Sequence, residues 1–554
     1  MKLRDGEESK ERSEMQEEGG EEDTRREGRI IISEEEIEKA IRKVKKKKAA
    51  GEENLKNEAW IYADGKTKEK LREVLQKICD EKKIPMGWRE GWIFPIHKKG
   101  DSAKAENYRD ITLMDTGYKI LTMIIEEKLK KETERLRILP ETQAGFKGER
   151  SAIDNIYILK TEAERTINEK KGKLFAFLAD LRAAFDKVNR QKLWKKMREY
   201  GIEEKLIELI VEIIYEETSC RIKIGKKCTR KFRIKKGLRQ GCPFSPLLFL
   251  ILLADVESFF KKRTNGGINI GKRRIYTLAY ADNLAVLSTE EGEIKKMLKS
   301  LEKYFDEKEM CLNVEKSKIL VFSRRDTKKN VRLWKWKREE INIEEVNEFK
   351  YLGYTFMKNN PDDAHIRTIT KKATAIMAQV WGIGERKFGG DWERKMMMFN
   401  VLVNSIVMYG VEIWGWEERK PVEALQERYI RWITELQKCT PEYIVREEIK
   451  VDLISIEAGF RVLKYQEKIK KRTGNEILKE CRREMEKREW ENTRWGKELE
   501  KMLAEGGTSR WEREALKVKG QDSIGIWKNN FKQRKEEERR KMIEESKSAG
   551  DYKK

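Results

Sequence analysis

The chain is poor in histidine, proline and cysteine: its 554 residues include two His, eight Pro and seven Cys. The cysteines stand at 79, 220, 228, 242, 311, 439 and 481, leaving no CxxC, no Cys/His zinc spacing and no run of His ligands. Their odd number and irregular spacing argue against a secreted disulfide framework, so an intracellular, reducing setting is expected, with nucleus and cytoplasm not distinguished. Long apolar runs are missing too. The longest uncharged stretch at the apolar peak, Gln240–Ala254, has 15 residues and contains Pro243 and Pro246, where a membrane-spanning helix needs about 20. The N-terminus shows no apolar signal segment, and no membrane partner is expected. No repeat of 20–50 residues stands out.

What is abundant is charge. Lys and Arg number 123 against 99 Asp and Glu, a net charge of +24. Aromatics hold at 9% with 15 Trp, which favours a folded chain over a disordered one. Residues 1–28 carry 6 basic and 11 acidic groups and read as a disordered leader, leaving +29 on the rest. A body so positive points to a polyanion, most often nucleic acid.

Order is expected from Ser33, an N-cap with Glu36 three residues on, ahead of a basic helix to about Lys48. Apolar runs such as Trp92–Ile96 then alternate with amphipathic helices. The 173–325 segment reads as mixed α/β: a strand over Lys173–Ala179, helices over Arg190–Tyr200 and Glu204–Glu217, and a hairpin of Cys220–Ile224 with Lys231–Ile234. A buried helix over Ser245–Phe260 follows, then strands Arg274–Ala279 and Leu284–Ser288 joined by four residues, and a helix over Glu291–Glu309. Strands Lys318–Phe322 and Phe349–Phe356 close the region, and beyond 365 the pattern is helical. The last 91 residues, 464–554, carry net +8 with Trp490, Trp495, Trp511 and Trp527. Those Trp residues could stack on bases, but an amphipathic helix core is the simpler account of them.

Carboxylates at the ends of apolar strands are the first chemical signal. Asp180 ends Leu174-Phe175-Ala176-Phe177-Leu178-Ala179, and Asp282 sits at the tip of a tight hairpin between Tyr276–Ala281 and Leu284–Leu287. A charge there is costly unless solvated, paired or bound to a cation. Asp282-Asn283 also serves as a plain turn dipeptide, since both residues tolerate left-handed backbone. The loop Gly237-Leu238-Arg239-Gln240-Gly241-Cys242-Pro243-Phe244-Ser245-Pro246 has two glycines that permit close backbone approach. Ser245 can cap the helix that follows, with Pro246 in its first turn; alone, this is a well-made helix start.

In order and spacing these features resemble the palm of a reverse transcriptase, most closely that of non-LTR (LINE-type) retrotransposons. The matching elements are Phe177–Asp186 with its Ala-Phe-Asp close, the Gly-x-x-Gln-Gly-x-x-x-Ser-Pro loop, and Tyr280-Ala281-Asp282-Asn283. The likeness continues in Pro95–Asp101 with Asn107-Tyr108-Arg109, in Gln143-Ala144-Gly145-Phe146 with Arg150 and Asp154, in Leu312–Lys316, and in Phe349–Gly353. Tyr409-Gly410 with Trp414, and Thr440–Glu448, are similar to segments that follow the polymerase in such elements.

The resemblance covers roughly residues 30–460 and implies an α+β fold: a right-hand polymerase of fingers, palm and thumb, followed by a mostly helical C-terminal region. It implies fingers with an N-terminal extension over 29–170 and a palm with a fingers insertion over 171–325. A primer-grip hairpin over 326–365, a thumb-like region over 366–463 and a basic tail over 464–554 follow. The implied activity is RNA-directed DNA polymerisation, with an RNA template, a DNA primer and deoxynucleoside triphosphates as partners. By the same resemblance Asp180 and Asp282 are the ligands of two Mg²⁺ ions, with Mn²⁺ as the alternative. Lys316 matches the residue that protonates pyrophosphate. Lys98, Arg109, Phe185, Gln240 and Gly241 are implied to contact the nucleotide, Phe185 by excluding a ribose 2′-hydroxyl, although a core Phe and surface Lys are simple alternatives. Tyr351, Leu352 and Gly353 are implied to brace the primer.

The sequence departs from this pattern at Asn283, which stands where the family has a second Asp among its catalytic residues. Asp110 stands where Gly or Pro is expected, and Lys48–Asn54 matches the family's entry motif loosely. With no endonuclease ahead of the polymerase, the expectation is a truncated copy with impaired activity. The alternative is a catalytically silent nucleic-acid-binding protein that keeps the fold; a basic helical scaffold is a distant third.

Overall fold

The computed structural model describes residues 29–546 apart from 52, 99, 170–171, 216–218, 325–331, 338–339, 360, 488–493, 510–511 and 513–521. The leader over 1–28 and Trp490 and Trp511 therefore lie outside the described residues. Along the chain, strands β1 (Glu90–His97) and β2 (Tyr108–Leu113) come first, then β3 (Leu174–Ala179), β4 (Ser219–Ile224), β5 (Lys227–Cys228) and β6 (Phe232–Arg233). Next are β7 (Ile268–Ile270), β8 (Arg273–Ile275), β9 (Thr277–Tyr280), β10 (Asn283–Ser288) and β11 (Lys318–Phe322). The series closes with β12 (Trp334–Trp336), β13 (Ile341–Val346), β14 (Glu348–Tyr351) and β15 (Tyr354–Met357). After Asp363 the described elements are all helical, and none among them is long and apolar enough to cross a membrane.

The described residues form two compact units that interleave in sequence. One takes residues up to Pro140, Leu181–Phe259 and Lys303–Leu312; the other takes Glu141–Asp180, Phe260–Glu302 and the chain from Asn313 on. In the first unit β1 pairs antiparallel with β2 and parallel with β4, and β4 also pairs with β5 and β6. Its entry helix, Glu34–Lys43, starts as expected, with Ser33 and Glu36 exchanging both bonds of a capping box. It stops at Lys43, short of Lys48: buried Val44 is already extended at the C-cap, ahead of the lysine run. The helix expected over Glu204–Glu217 is α-helical only to Leu209 and continues as a π-helix over Ile210–Tyr215. The single helix expected over Ser245–Phe260 divides into Ser245–Leu252 and Val256–Arg263. Ser245 lies inside the first of these rather than capping it: the cap position is Phe244, which makes no side-chain cap bond.

The second unit is built on a six-stranded sheet of order β12-β13-β11-β3-β10-β9. All six residues of β3, Leu-Phe-Ala-Phe-Leu-Ala, are buried, as a central strand covered on both faces requires. The helix Ala152–Asn168 packs on this sheet, opened by a capping box between Ser151 and Asp154. A continuous apolar core runs from that helix through β3, β10 and β11 to Tyr351, Tyr354 and the helices after 363. A smaller cluster buries Trp527 against Met502 and Phe531, with its indole N–H on the Met502 carbonyl at 3.0 Å. Trp527 is thus a core residue, not a stacking platform.

Candidate active site

Asp180 is the first residue past buried β3. Its amide donates to Ser317 Oγ at 3.0 Å, and its carbonyl accepts from the Asn313 amide at 2.8 Å. Its carboxylate accepts from Asn313 Nδ2 at 3.3 Å and lies 3.7 Å from Lys316 Nζ. The backbone is therefore pinned on both sides while the carboxylate stays 30% exposed and Lys316 64% exposed. An ion pair that open to water adds little stability, so the arrangement costs the fold little to undo. Asn313 and Ser317 flank the lysine that the sequence pattern singles out, and the pattern gives no sign of their part in holding Asp180.

The neighbouring strand brings the second acid. β10 runs antiparallel to β3 with Leu284 opposite Ala179, so the next rung sets Asn283 across from Asp180. β9 and β10 pair as far as Tyr280 and Asn283. The connection is therefore two residues, Ala281-Asp282, rather than the expected four, because backbone pairing continues past the point where apolar side chains stop. Ala281 takes left-handed φ of 55°, a strain of order 1 kcal/mol for a residue with a Cβ. Asn283 Nδ2 faces Asp282 Oδ1 at 3.4 Å. Two carboxylates and one side-chain amide thus stand at one end of the sheet. An all-oxygen donor set suits a hard divalent cation. It supplies two negative charges, however, and among the described residues no cluster of three or more Asp, Glu, His or Cys side chains forms a ready cation site.

Lys98, Arg109, Phe185, Gln240 and Gly241 fall in the other unit. Gly241 has φ of +109°, and a Cβ there would meet the Thr112 carbonyl oxygen at 2.7 Å; the Thr112 amide donates to the Gln240 carbonyl at 2.8 Å. Gly237, at φ +86°, passes the Asp186 carbonyl just as closely. Both glycines are required by close approach. Gln240 Nε2 donates to Asp186 Oδ1 at 2.9 Å. Burial pushes the Asp186 carboxyl above its ordinary value, with Asp110 adding to the rise while Gln240 and Lys98 oppose it. Phe185 is half-buried and stacks on Phe249 with centroids 5.0 Å apart. Arg109 sits opposite Ile96 in the β1–β2 ladder, and Lys98 follows β1, its amide on the Asn107 carbonyl; both side chains are exposed.

The expected primer-bracing residues form the turn of the β14–β15 hairpin. Leu352 and Gly353 both take positive φ, 47° and 87°. Tyr351 departs from expectation: its ring is buried in the core and its hydroxyl donates to the Leu278 carbonyl at 3.1 Å. An aromatic at a strand end facing a packed sheet goes inward, so the side chain braces β9 and leaves the Leu352-Gly353 turn as the surface. Tyr409 Oη donates to the Leu352 carbonyl, and a Cβ on Gly353 would meet that hydroxyl at 2.8 Å and the ring at 2.9 Å. His365, fully buried and stacked on Tyr354, accepts the Thr355 amide at Nδ1 (3.3 Å) and sits 3.0 Å from the Tyr409 carbonyl at Nε2. Burial, ahead of its other influences, pushes its pKa down to about 4.

In sequence the chain runs from a strand-end aspartate through a Gly-x-x-Gln-Gly loop to a hairpin-tip aspartate. Residues 96–356 match the family described as Reverse transcriptase (RNA-dependent DNA polymerase), in a chain of mixed α and β elements followed by a helical region. The relatives are proteins of non-LTR elements. The chain is 22% identical over 455 residues to the "Probable RNA-directed DNA polymerase from transposon BS" of Drosophila melanogaster, covering 78% of this chain and 48% of that protein. It is 28% identical over 235 residues to the "Retrovirus-related Pol polyprotein from type-1 retrotransposable element R2" of Popillia japonica, covering 42% and 32%. The solved telomerase of Candida tropicalis, in complex with a fragment of telomeric RNA, aligns at 11% identity and TM-score 0.38 over 71% of this chain and 64% of that one. The chain spans about half the length, or less, of these curated relatives.

Proposed function

We propose that this chain performs RNA-directed DNA synthesis as the polymerising part of a non-LTR retrotransposon protein, taking an RNA template, a DNA primer and deoxynucleoside triphosphates. In the proposed step the primer 3′-oxygen attacks the α-phosphorus, the bond to the β-phosphate oxygen breaks, and pyrophosphate leaves as the hydroxyl proton is lost. Asp180 and Asp282 would hold two Mg²⁺ ions, or Mn²⁺, whose chemistry is to stabilise the attacking and leaving oxygens. Lys316, 3.7 Å from Asp180, would give a proton to the departing pyrophosphate. Lys98 and Arg109 offer charge to the triphosphate, Phe185 a ring edge to the sugar, Gln240 and Gly241 a close backbone to the base pair, and Leu352-Gly353 a turn to the primer. The observation that carries this reading is the register of β3 against β10, which sets Asp180 beside the Asp282–Asn283 tip. All seven cysteines are free thiols, which supports an intracellular setting.

Asn283 favours impaired turnover: it brings no charge to a site asked to balance two divalent ions, and its N–H faces Asp282. Each 1.36 kcal/mol of lost transition-state stabilisation slows a reaction about tenfold. Primer extension on an RNA template should be slow for the chain as it stands and about tenfold faster or more for Asn283→Asp. Equal, robust synthesis by both would refute the impairment. Silence in both, with duplex binding retained, would leave a nucleic-acid-binding protein. Full activity in Asp180→Ala and Asp282→Ala would sink the assignment of the acids.

A further inference from the structure

The hairpin that presents Asp282 has a two-residue tip with a non-glycine in left-handed backbone, and such a tip persists only where its surroundings over-determine it. The surroundings here are one segment. Gln143, 5% exposed, turns its side-chain carbonyl onto two backbone amides, Gly145 at 2.8 Å and Ala281 at 3.0 Å. Gly145 comes so close that a Cβ on it would meet the Ala281 nitrogen at 2.5 Å. The Ala279 amide donates to the Thr142 carbonyl at 3.0 Å, and the Ala279 carbonyl accepts from the Ala144 amide at 2.8 Å and Asn155 Nδ2 at 2.9 Å.

We propose that Gln143 is a positioning residue for the catalytic hairpin, fixing Asp282 through the Ala281 amide. This rests on the polymerase reading of the site. The Ala281 N–H lies one residue before the acid, at the only turn between the two strands that carry it. A buried amide N–H without an acceptor is expensive, so the tip stays closed while the Gln143 oxygen is present. The fit is selective: glutamate keeps an acceptor oxygen at the same reach, whereas methionine keeps the bulk and deletes the acceptor. Gly145 admits no side chain without pushing Ala281 away.

The test compares Gln143→Met, Gln143→Glu and the parent chain by two readouts. Hydrogen–deuterium exchange of the 277–286 segment is expected to quicken about tenfold or more in Gln143→Met, and to return towards the parent rate in Gln143→Glu. In primer extension, Gln143→Met should lose about 10- to 100-fold in kcat, the scale of a small misplacement of a reacting group, with KM for primer–template within about twofold. Thermal melting confirms that each variant is folded. Unchanged exchange in folded Gln143→Met overturns the proposal, and so does faster exchange with kcat intact. If Gln143→Met does not fold, parent-like exchange and turnover in Gln143→Glu uphold it, and a loss in Gln143→Glu equal to that of Gln143→Asn overturns it. If neither the parent chain nor Asn283→Asp makes DNA, the polymerase reading fails while the exchange comparison still decides whether Gln143 anchors the hairpin.

Discussion

Two of the two-residue hairpin tips in the second unit, Ala281-Asp282 and Leu352-Gly353, are held shut by opposite chemistry. Both put a residue with a side chain into left-handed backbone. The first is held at an amide by an acceptor, the Gln143 carbonyl; the second is held at a carbonyl by a donor, the Tyr409 hydroxyl. The first clamp contains nothing that titrates near neutrality. The second is backed by His365, which holds the Thr355 amide and the Tyr409 carbonyl from inside the core. The contrast teaches that the acid-bearing turn is built to keep one geometry across pH, while the grip turn inherits the protonation state of a buried imidazole.

The sharpest way to break the comparison is to remove the acids. Asp180→Asn or Asp282→Asn should lower primer extension about 1,000-fold, roughly 4 kcal/mol of transition-state stabilisation, with melting temperature and duplex binding little changed. Comparable losses on mutating the grip turn would erase the distinction between the hairpins. Acid should separate them next. His365 has a folded pKa of about 4 against 6.5 for the free side chain, so the fold favours the neutral ring. Its stabilising contribution is present above pH 6.5 and is lost as pH falls from 6.5 towards 4. The difference amounts to about 3 kcal/mol at most. Melting at pH 7 and pH 4.5 should show His365→Asn with a smaller acid loss than the parent; identical slopes would remove His365 from the account. A smaller effect is expected at the grip clamp: Tyr409→Phe deletes one hydrogen bond and should cost about 1 kcal/mol, visible as faster exchange in the 348–357 segment but not in 277–286. Exchange rising in both segments would show that the two turns move together. The smallest effect belongs to the exposed ion pair. Lys316→Ala should shift melting by less than about 0.5 kcal/mol, while a clear drop in turnover would mark the lysine as chemical rather than structural.

Much of this site is legible in the sequence, for physical reasons that differ by residue. Asp180 is visible because a charge ending an all-apolar strand has few structural uses. Gly237 and Gly241 are visible because their backbone has positive φ and an added Cβ would come within 2.6–2.7 Å of a carbonyl oxygen. The strand over Lys318–Phe322 is found where expected, since a short apolar run bounded by polar residues has one period to obey. What stays hidden depends on long-range contact. Gln143 meets Ala281 across 138 residues, and no local pattern says which buried amide a glutamine will serve. Tyr351 looks like a surface aromatic until the sheet beneath it is in place. The break after Leu252 and the π-helical stretch at Ile210–Tyr215 are invisible because hydrophobic periodicity reads faces, not backbone bonding.

β9 ends the six-stranded sheet, and the Ala279 amide and carbonyl, which point away from β10, are taken by the 142–144 segment and Asn155. An open strand at the margin of a sheet is a template on which another chain can grow. Here the strand that leads to Asp282 offers no such template at Ala279. The sheet margin that bears Asp282 is thereby shielded from strand addition by a second copy, so high protein concentration should not cover this margin by edge-to-edge self-association.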